Sequence, residues 1–591
     1  ERGCMNQAIA LLGAGAACAA AQAARRSEDD AVSASQEMNR RVYLSAAVAL
    51  LATIGNLCAA DFQSVEESRS RLSGNDAQAR FPMLLGADDA GAKQAIFKDN
   101  AMASAFEKMG FDFLMSHLYV GGETTCVSGL ISWAEQTGHD FILNQECASR
   151  PKGDPKFYRK PGLFFQPSPD LLSLATNGNH LLGVCYDEAE HWVNQGVWIT
   201  GRQGPFAPHF HDAEGETLAQ AYEGNLFNLQ TLMRRNYSSF ATPANGKASP
   251  IVCTEHVFPA MFHVFARAGI SPLPKFLKET VTPVTAAMAL GCVREYGTQY
   301  WPCLDLWGPR AAPRVFPCHT PQELADALLF AYWTGAPRAY VENINYQDSL
   351  YSVTNGEVRL SAWGEVVRQF RHDYLPKHPR TFRAEEFAPE TIIIRFPDTD
   401  WGQIKTGCTR LCLYGESNLK PDEQTRYWLR IWRVISHGTI PKAGLNWNAG
   451  FKIPYRLFFP ANNVAVYDHL ASDPRLFASA KLVFLTGKEI SADCLQTLTA
   501  LVNRGLTVVT PAHLAPAGLG LGSGEVMKKI ASGSGCWIIT DQVDHPDVVA
   551  ELRPFLGSPD QMRFVFGQAE IVFRTDEKGG LLVEQKDLSR R

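Results

Sequence analysis

The sequence has no surplus of positive charge. Lysine and arginine number 56 against 61 aspartates and glutamates, a formal net charge of −5. Nucleic acid and anionic membrane surfaces select basic faces, so neither partner is expected. No Cys-x-x-Cys pair occurs, and Cys408 and Cys412 lack a second pair at zinc-ligand spacing, which argues against a cysteine-held zinc site. No G-x-G-x-x-G follows the first apolar run. The Gly-rich stretch at 518–524 lacks the lysine and the immediately preceding strand of a phosphate loop, so it reads as a flexible loop. Internal repeats and long low-complexity tracts are missing after residue 60. A solenoid is therefore not indicated.

A membrane-length apolar run is lacking too, but a shorter one is informative. From Met38, Arg40 and Arg41 precede an apolar stretch from Val42 to Ile54, and Cys58 and Ala60 are the small residues of a cleavage site. A span needs about 20 apolar residues, so 38–60 is expected to be a signal peptide, with Asp61 the first mature residue. The alternative is a buried Ala-rich helix. The 1–37 segment is expected to be an upstream extension, and 61–80 a linker. Eleven cysteines follow residue 60, several inside apolar strands, where a small hydrophobe belongs; free thiols are expected for most of them.

From Phe81 onward, apolar runs at 82–88, 112–118, 140–146, 180–188, 250–258, 272–279, 300–308 and 339–346 alternate with helical patterns. Continuous apolar strands separated by helices imply a parallel sheet covered on both faces. Eight such units over 81–380 predict a (β/α)₈ TIM barrel, with an open doubly wound sheet as the competitor. Past Pro379 the pattern restarts at TIIIRF, NVAVYDH, KLVFLTG, LTVVTP and CWIITD, predicting a smaller parallel α/β domain over 381–541. Alternation in RFVFGQAEIVFRT and GGLLVEQ predicts a small C-terminal β unit within 542–591.

Active sites of such barrels lie at the C-terminal ends of the strands. Acids stand there in number: Asp88, Glu146, Asp187, Glu188, Glu255, Glu279, Asp305 and Glu342. Burying carboxylates without a purpose is costly. Near them in sequence come Tyr186, Trp192, Trp198, His256, Trp301, Trp307, Asn343, Asn345 and Tyr346. Aromatic faces beside carboxylates and amides suit a sugar ring. Hydrolysis of a glycosidic bond requires two carboxylates, one to protonate the leaving oxygen and one to attack or to activate water. Glu188 and Glu255 are the preferred acids, and Asp187, Asp305 and Glu342 are candidates for nucleophile, base or charge stabiliser. Substrate contacts are expected from Asp88, Glu146, Tyr186, His256, Glu279, Trp301, Trp307, Asn343 and Tyr346. Each has an ordinary alternative: a strand-end acid can cap a helix or pair with Lys275, Lys278 or Arg294, and a strand tryptophan can be core. His209 and His211 could bind a metal through alternate residues, but a polar loop is the preferred explanation. No metal and no redox cofactor is expected.

The succession of barrel, α/β domain and small β unit resembles the family 42 β-galactosidases among the glycoside hydrolases, and their clan relatives. The resemblance is strongest over KLVFLTGKEISADCLQTLTALVNRGLTVVTP at 481–511, which matches the strand, helix and strand of that family's amidotransferase-like domain. The G-x-C-x-G elbow of true amidotransferases is missing, so this domain is read as structural or as a means of assembly. The resemblance implies an acid/base on strand four and a nucleophile on strand seven. Carried over, these fall on Glu188, preceded by Asp187 where the clan has Asn, and on Asp305, where it has Glu. Asp187, Glu255 and Asp305 also mimic the acid positions of α-amylase-type barrels, without that family's surrounding motifs. The expectation is an exported, periplasmic or extracellular glycoside hydrolase-like enzyme acting on an oligo- or polysaccharide; a homo-oligomer is left open. A non-catalytic carbohydrate-binding barrel and a metal-dependent hydrolase are the rival readings.

Overall fold

A computed structural model describes residues 81–90, 94–118, 123–145, 168–177, 179–188, 218–241, 249–256, 261–277, 281–307, 316–396, 423–440 and 457–590. Eight parallel strands, β1 (Leu84–Asp88), β2 (Phe113–His117), β3 (Asp140–Asn144), β4 (Leu181–Tyr186), β5 (Ile251–His256), β6 (Ser271–Phe276), β7 (Cys303–Asp305) and β8 (Arg338–Glu342), close into a barrel. Closure is made by β1 on β8, with Leu84 opposite Arg338 and Ala87 opposite Val341. All eight expected strands are present, each followed by a helix.

Local chemistry sets the helix ends. Asp99 accepts the N–H groups of Ala101 and Met102 to start Asn100–Met109, and Gly110, at φ 73°, ends it in the left-handed conformation a glycine adopts without penalty. Thr320 and Glu323 form a reciprocal capping box ahead of Pro321–Trp333, with Pro321 in the first turn, where its missing N–H costs nothing.

Alternation along the strands separates two apolar groups. Phe113, Met115, Ile142, Cys185, Cys253, Leu273, Trp301, Cys303 and Tyr340 point inward and fill the barrel. Their neighbours in sequence, such as Leu114, Leu143, Val184 and Val341, point outward and join the large core under the helices. Because the side-chain period is two, the residue two places past each inward apolar residue also points inward. That arithmetic builds the site.

After the hairpin of β9 (Tyr351–Thr354) and β10 (Glu357–Leu360), a second sheet begins at β11 (Thr391–Arg395). It continues through β13 (Val464–Asp468), β14 (Leu482–Thr486), β15 (Thr507–Thr510), β16 (Lys528–Ser532) and β17 (Gly535–Ile539), in the order β13-β11-β14-β15-β17-β16. Its five parallel strands are those read from the sequence. β16 is an addition, an antiparallel edge strand paired with β17; its half-exposed, lysine-bearing pattern carries no core signal. The 518–524 stretch falls in turns between β15 and β16. A third sheet holds β12 (Ala461–Asn462), β18 (Met562–Phe566), β19 (Ala569–Thr575) and β20 (Leu581–Asp587), the last three antiparallel as expected.

The barrel helix Thr282–Tyr296 lies directly on β13. A Cβ at Gly291 would stand 1.8 Å from the Val466 carbonyl oxygen, so only glycine permits this approach. Around it, His263 Nε2 lies 3.1 Å from the same oxygen, Glu295 accepts the Asp468 N–H at 2.8 Å, and Tyr296 donates to Asp468 at 2.8 Å. Cys185, Cys253, Cys292, Cys303, Cys494 and Cys536 are free thiols. Among the described residues no helix is long and apolar enough to cross a membrane.

Candidate active site

Two residues past the inward apolar layer, every strand delivers a polar side chain to the C-terminal mouth. These are Asp88, His117, Asn144, Asp187, Glu255, Lys275, Asp305 and Glu342, all buried. Lys275 of β6 is the centre. Its ammonium lies 3.0 Å from Glu188 Oε1, 2.8 Å from Glu255 Oε2, 3.0 Å from Asp305 Oδ2 and 2.8 Å from Glu342 Oε2. Burial alone would lower the lysine's pKa, but the carboxylates of Asp305, Glu188, Glu255 and Glu342 together raise it well above its ordinary value. It is a fixed positive charge.

The four carboxylates are not equivalent. The side chains of Asp305 and Glu255 are 0% and 1% exposed, whereas those of Glu342 and Glu188 are 10% and 20% exposed. Asp305 accepts the Trp307 N–H at 2.7 Å, and Glu255 accepts the Tyr340 hydroxyl at 2.8 Å. Burial, reinforced by Cys303 and Glu255, pushes the Tyr340 phenol well up, so it stays a donor. Glu188 has the wrong parity for the mouth. A left-handed backbone at φ 44° breaks the alternation after β4 and swings its carboxylate back to Lys275. That conformation costs a non-glycine residue about 1–2 kcal/mol. Two oxygens bound to one nitrogen cannot be further apart than the two contacts combined. For Glu188 and Glu342 that limit applies to the two oxygens that face Lys275.

On the opposite wall, His117 Nε2 lies 2.7 Å from Asp88 Oδ2 and 3.0 Å from Asn144 Nδ2, and Asn343 donates to Asp88 at 3.4 Å. Asp89 accepts the His117 N–H at 2.7 Å and the Ser116 hydroxyl at 3.1 Å. Burial raises its carboxyl to about 6, against the lowering pull of His117. Trp307 and Tyr346, both half-buried, cluster with Phe316 in tilted and edge-on contacts at centroid distances of 4.6–5.2 Å. They form an aromatic rim beside β7 and β8.

Several expected contacts lie elsewhere. Tyr186 and His256 have outward parity: the Tyr186 hydroxyl pairs with Tyr237 at 2.7 Å, and the His256 ring packs on Phe262 and Phe265. Trp301 precedes β7, so it sits at the N-terminal end of the barrel, under Arg338 at 4.7 Å. All three are corrected to core positions. Asp88, Asp187, Glu188, Glu255, Asp305, Glu342, Asn343, Trp307 and Tyr346 are at the mouth. Glu146, Glu279, Trp192, Trp198, His209 and His211 lie outside the described residues. Missed altogether were His117, Asn144 and Tyr340, along with the central role of Lys275. Counting by twos from the inward hydrophobes would have found them.

The polar atoms that converge here suit a polyhydroxylated ring, and comparison with solved structures agrees with the architecture. The cold-adapted β-galactosidase of Rahnella sp. R3 superposes with a TM-score of 0.52 at 9% identity, covering 86% of this chain and 100% of that one. The two chains share a fold. A catalytic mutant of a GH42 β-galactosidase from G. stearothermophilus gives a TM-score of 0.49 at 9% identity, over 86% of this chain and 98% of that one. An exo-β-1,4-mannosidase from Opitutaceae bacterium strain TAV5 gives 0.43 at 11%, over 82% and 100%. No family model and no curated protein matches the sequence.

Proposed function

We propose that the protein is a glycoside hydrolase acting on an oligo- or polysaccharide with paired carboxylates at the barrel mouth. The observation that carries this reading is the convergence of four carboxylates on Lys275, two of them open to a ligand. Glu188 is the acid: it gives its proton to the glycosidic oxygen as the bond to the anomeric carbon breaks. Glu342, on the facing strand, attacks that carbon to form a glycosyl ester. Water then displaces the ester, and the Glu188 carboxylate takes the water's proton, restoring both groups. A covalent route of this kind retains configuration at the anomeric carbon. Glu255 and Asp305, buried below, hold the arrangement, so Asp305 is a supporting residue instead of the nucleophile that the family resemblance implies. The Trp307–Tyr346 rim supplies a face for the sugar. The segment at 38–60 supports action outside the cytoplasm, and the shared fold supports placing β-galactosides first among the substrates to try.

The test is hydrolysis of a broad panel of glycans and aryl glycosides by the chain from Asp61, with and without chelator. Sugar release that survives the chelator and is lost in Glu188→Gln and Glu342→Gln sustains the reading. Binding of glycans without turnover on any of them replaces it with a non-catalytic carbohydrate-binding barrel.

A further inference from the structure

We propose that Lys275 is the positioning residue of this site: its ammonium gathers the carboxylates of four barrel segments onto one point and holds the outer pair in reacting position. Only the kinetic part rests on the glycoside hydrolase reading; the cation site itself does not.

An ammonium has three hydrogens to give, and the contacts divide accordingly. Lys275 donates to Glu188 at 3.0 Å, Asp305 at 3.0 Å and Glu342 at 2.8 Å. The fourth carboxylate, Glu255, is an ion-pair partner at 2.8 Å and receives its hydrogen from Tyr340 instead. The three ammonium hydrogens are thus assigned, and the two outer carboxylates are held by two hydrogens of the same nitrogen. Lys275 bridges the two directly, and the Cys303 thiol donates to Glu342 at 3.6 Å beside it. The point is a cation site by another measure as well. Ligand atoms of Glu255, Cys303 and Glu342 lie within 4.8 Å of one another, a grouping that could hold a cation, and the lysine nitrogen already contacts the two carboxylates. Removing the ammonium leaves like charges facing one another in a dry pocket, and each then favours protonation or retreat. Arginine, planar and larger, could not place one nitrogen at the common centre.

The experiment is Lys275→Ala, measured in ethylammonium chloride, with sodium chloride and ethanol as controls. The cavity left by the side chain accepts a short alkylammonium. Ethylammonium is expected to raise the melting temperature of the variant but not of the parent. On a glycoside the parent cleaves, the variant is expected to lose roughly 10²-fold or more in turnover, with part of it restored by ethylammonium alone. The acidic limb of its pH–rate profile should also move upward by about one unit, since a lost neighbouring cation raises a carboxylate's pKa. Equal effects of ethylammonium, salt and ethanol, or an unmoved acidic limb, overturn the proposal. Lys275→Met, which keeps the volume and loses the charge, repeats the pH measurement if the alanine variant does not fold. In that case the refolding yield of the alanine variant in ethylammonium against sodium chloride reads the cation site. Should no glycoside be cleaved by the parent, the hydrolase reading fails, while the thermal comparison still decides the cation site.

Discussion

Glu188 meets Lys275 at 3.0 Å although its place in the alternation of β4 points it toward the helices. The left-handed turn at Glu188 makes the contact, so backbone geometry is spent on aiming one carboxylate. Glu188→Gln keeps the turn and removes the proton. Turnover is expected to fall by roughly 10²–10⁴-fold on glycosides with poor leaving groups, and far less on activated aryl glycosides that need no acid. A series of leaving groups of graded pKa measures this. A uniform loss across the series would assign Glu188 a role other than proton donor.

Glu342 and Asp305 both touch Lys275, but only Glu342 is partly open. Glu342→Gln should abolish turnover. Asp305→Asn should leave measurable turnover while costing about 1–3 kcal/mol of stability, because it disturbs buried bonds to Lys275 and to the Trp307 N–H. A slow fluorosugar substrate that traps the glycosyl ester, followed by peptide mass spectrometry, locates the attacked residue. A label on Asp305 would restore the assignment made by family resemblance.

The barrel was legible because period is a strong signal: eight apolar runs, each with a helix behind it, admit few arrangements. Strand-end acids were legible for the same reason, and Asp88, Glu255, Asp305 and Glu342 do face the mouth. Tyr186 and His256 were misread because each stands one residue from an inward-facing one, and chemical type was weighed ahead of parity. Lys275 was visible, but only as a neutralising partner for single acids. That four acids far apart in sequence choose the same lysine is a product of the barrel's curvature, which turns β4 to β8 around one axis and has no local signature.

Two buried groups set opposite pH dependences. Asp89 is raised from 3.8 to about 6 by burial, so its protonated form favours folding. Its contribution is full below about pH 4 and is lost as pH rises through 6, a change of about 3 kcal/mol. His263 is lowered from 6.5 to about 4, again mainly by burial, so it favours folding when neutral. Its contribution is full above about pH 6.5 and is lost as pH falls toward 4, by about 3 kcal/mol. Relative to the parent, Asp89→Asn should therefore gain stability between pH 4 and 7, and His263→Gln should gain it as pH falls over the same range. Urea unfolding at four or five pH values separates them. Parallel curves for parent and variants would remove both assignments.

Gly291 decides how closely the barrel carries the second sheet. The helix Thr282–Tyr296 is almost wholly buried, and an added Cβ at 291 would strike the Val466 carbonyl oxygen at 1.8 Å. Backbone cannot step aside as a side-chain tip can, so the helix must lift. Lifting would also stretch the contact of His263 with Val466 and those of Glu295 and Tyr296 with Asp468, which sit on the same line of approach. Gly291→Ala is expected to cost about 1–3 kcal/mol or more despite alanine's better helix propensity. Turnover per folded molecule should be unchanged, since the β13 side of the helix is remote from the mouth at Lys275. Thermal melts together with active-site titration check both halves. A neutral melting temperature would show that the helix and β13 have room to part, and a loss of turnover in fully folded protein would mean that the second sheet reaches the carboxylates through this helix.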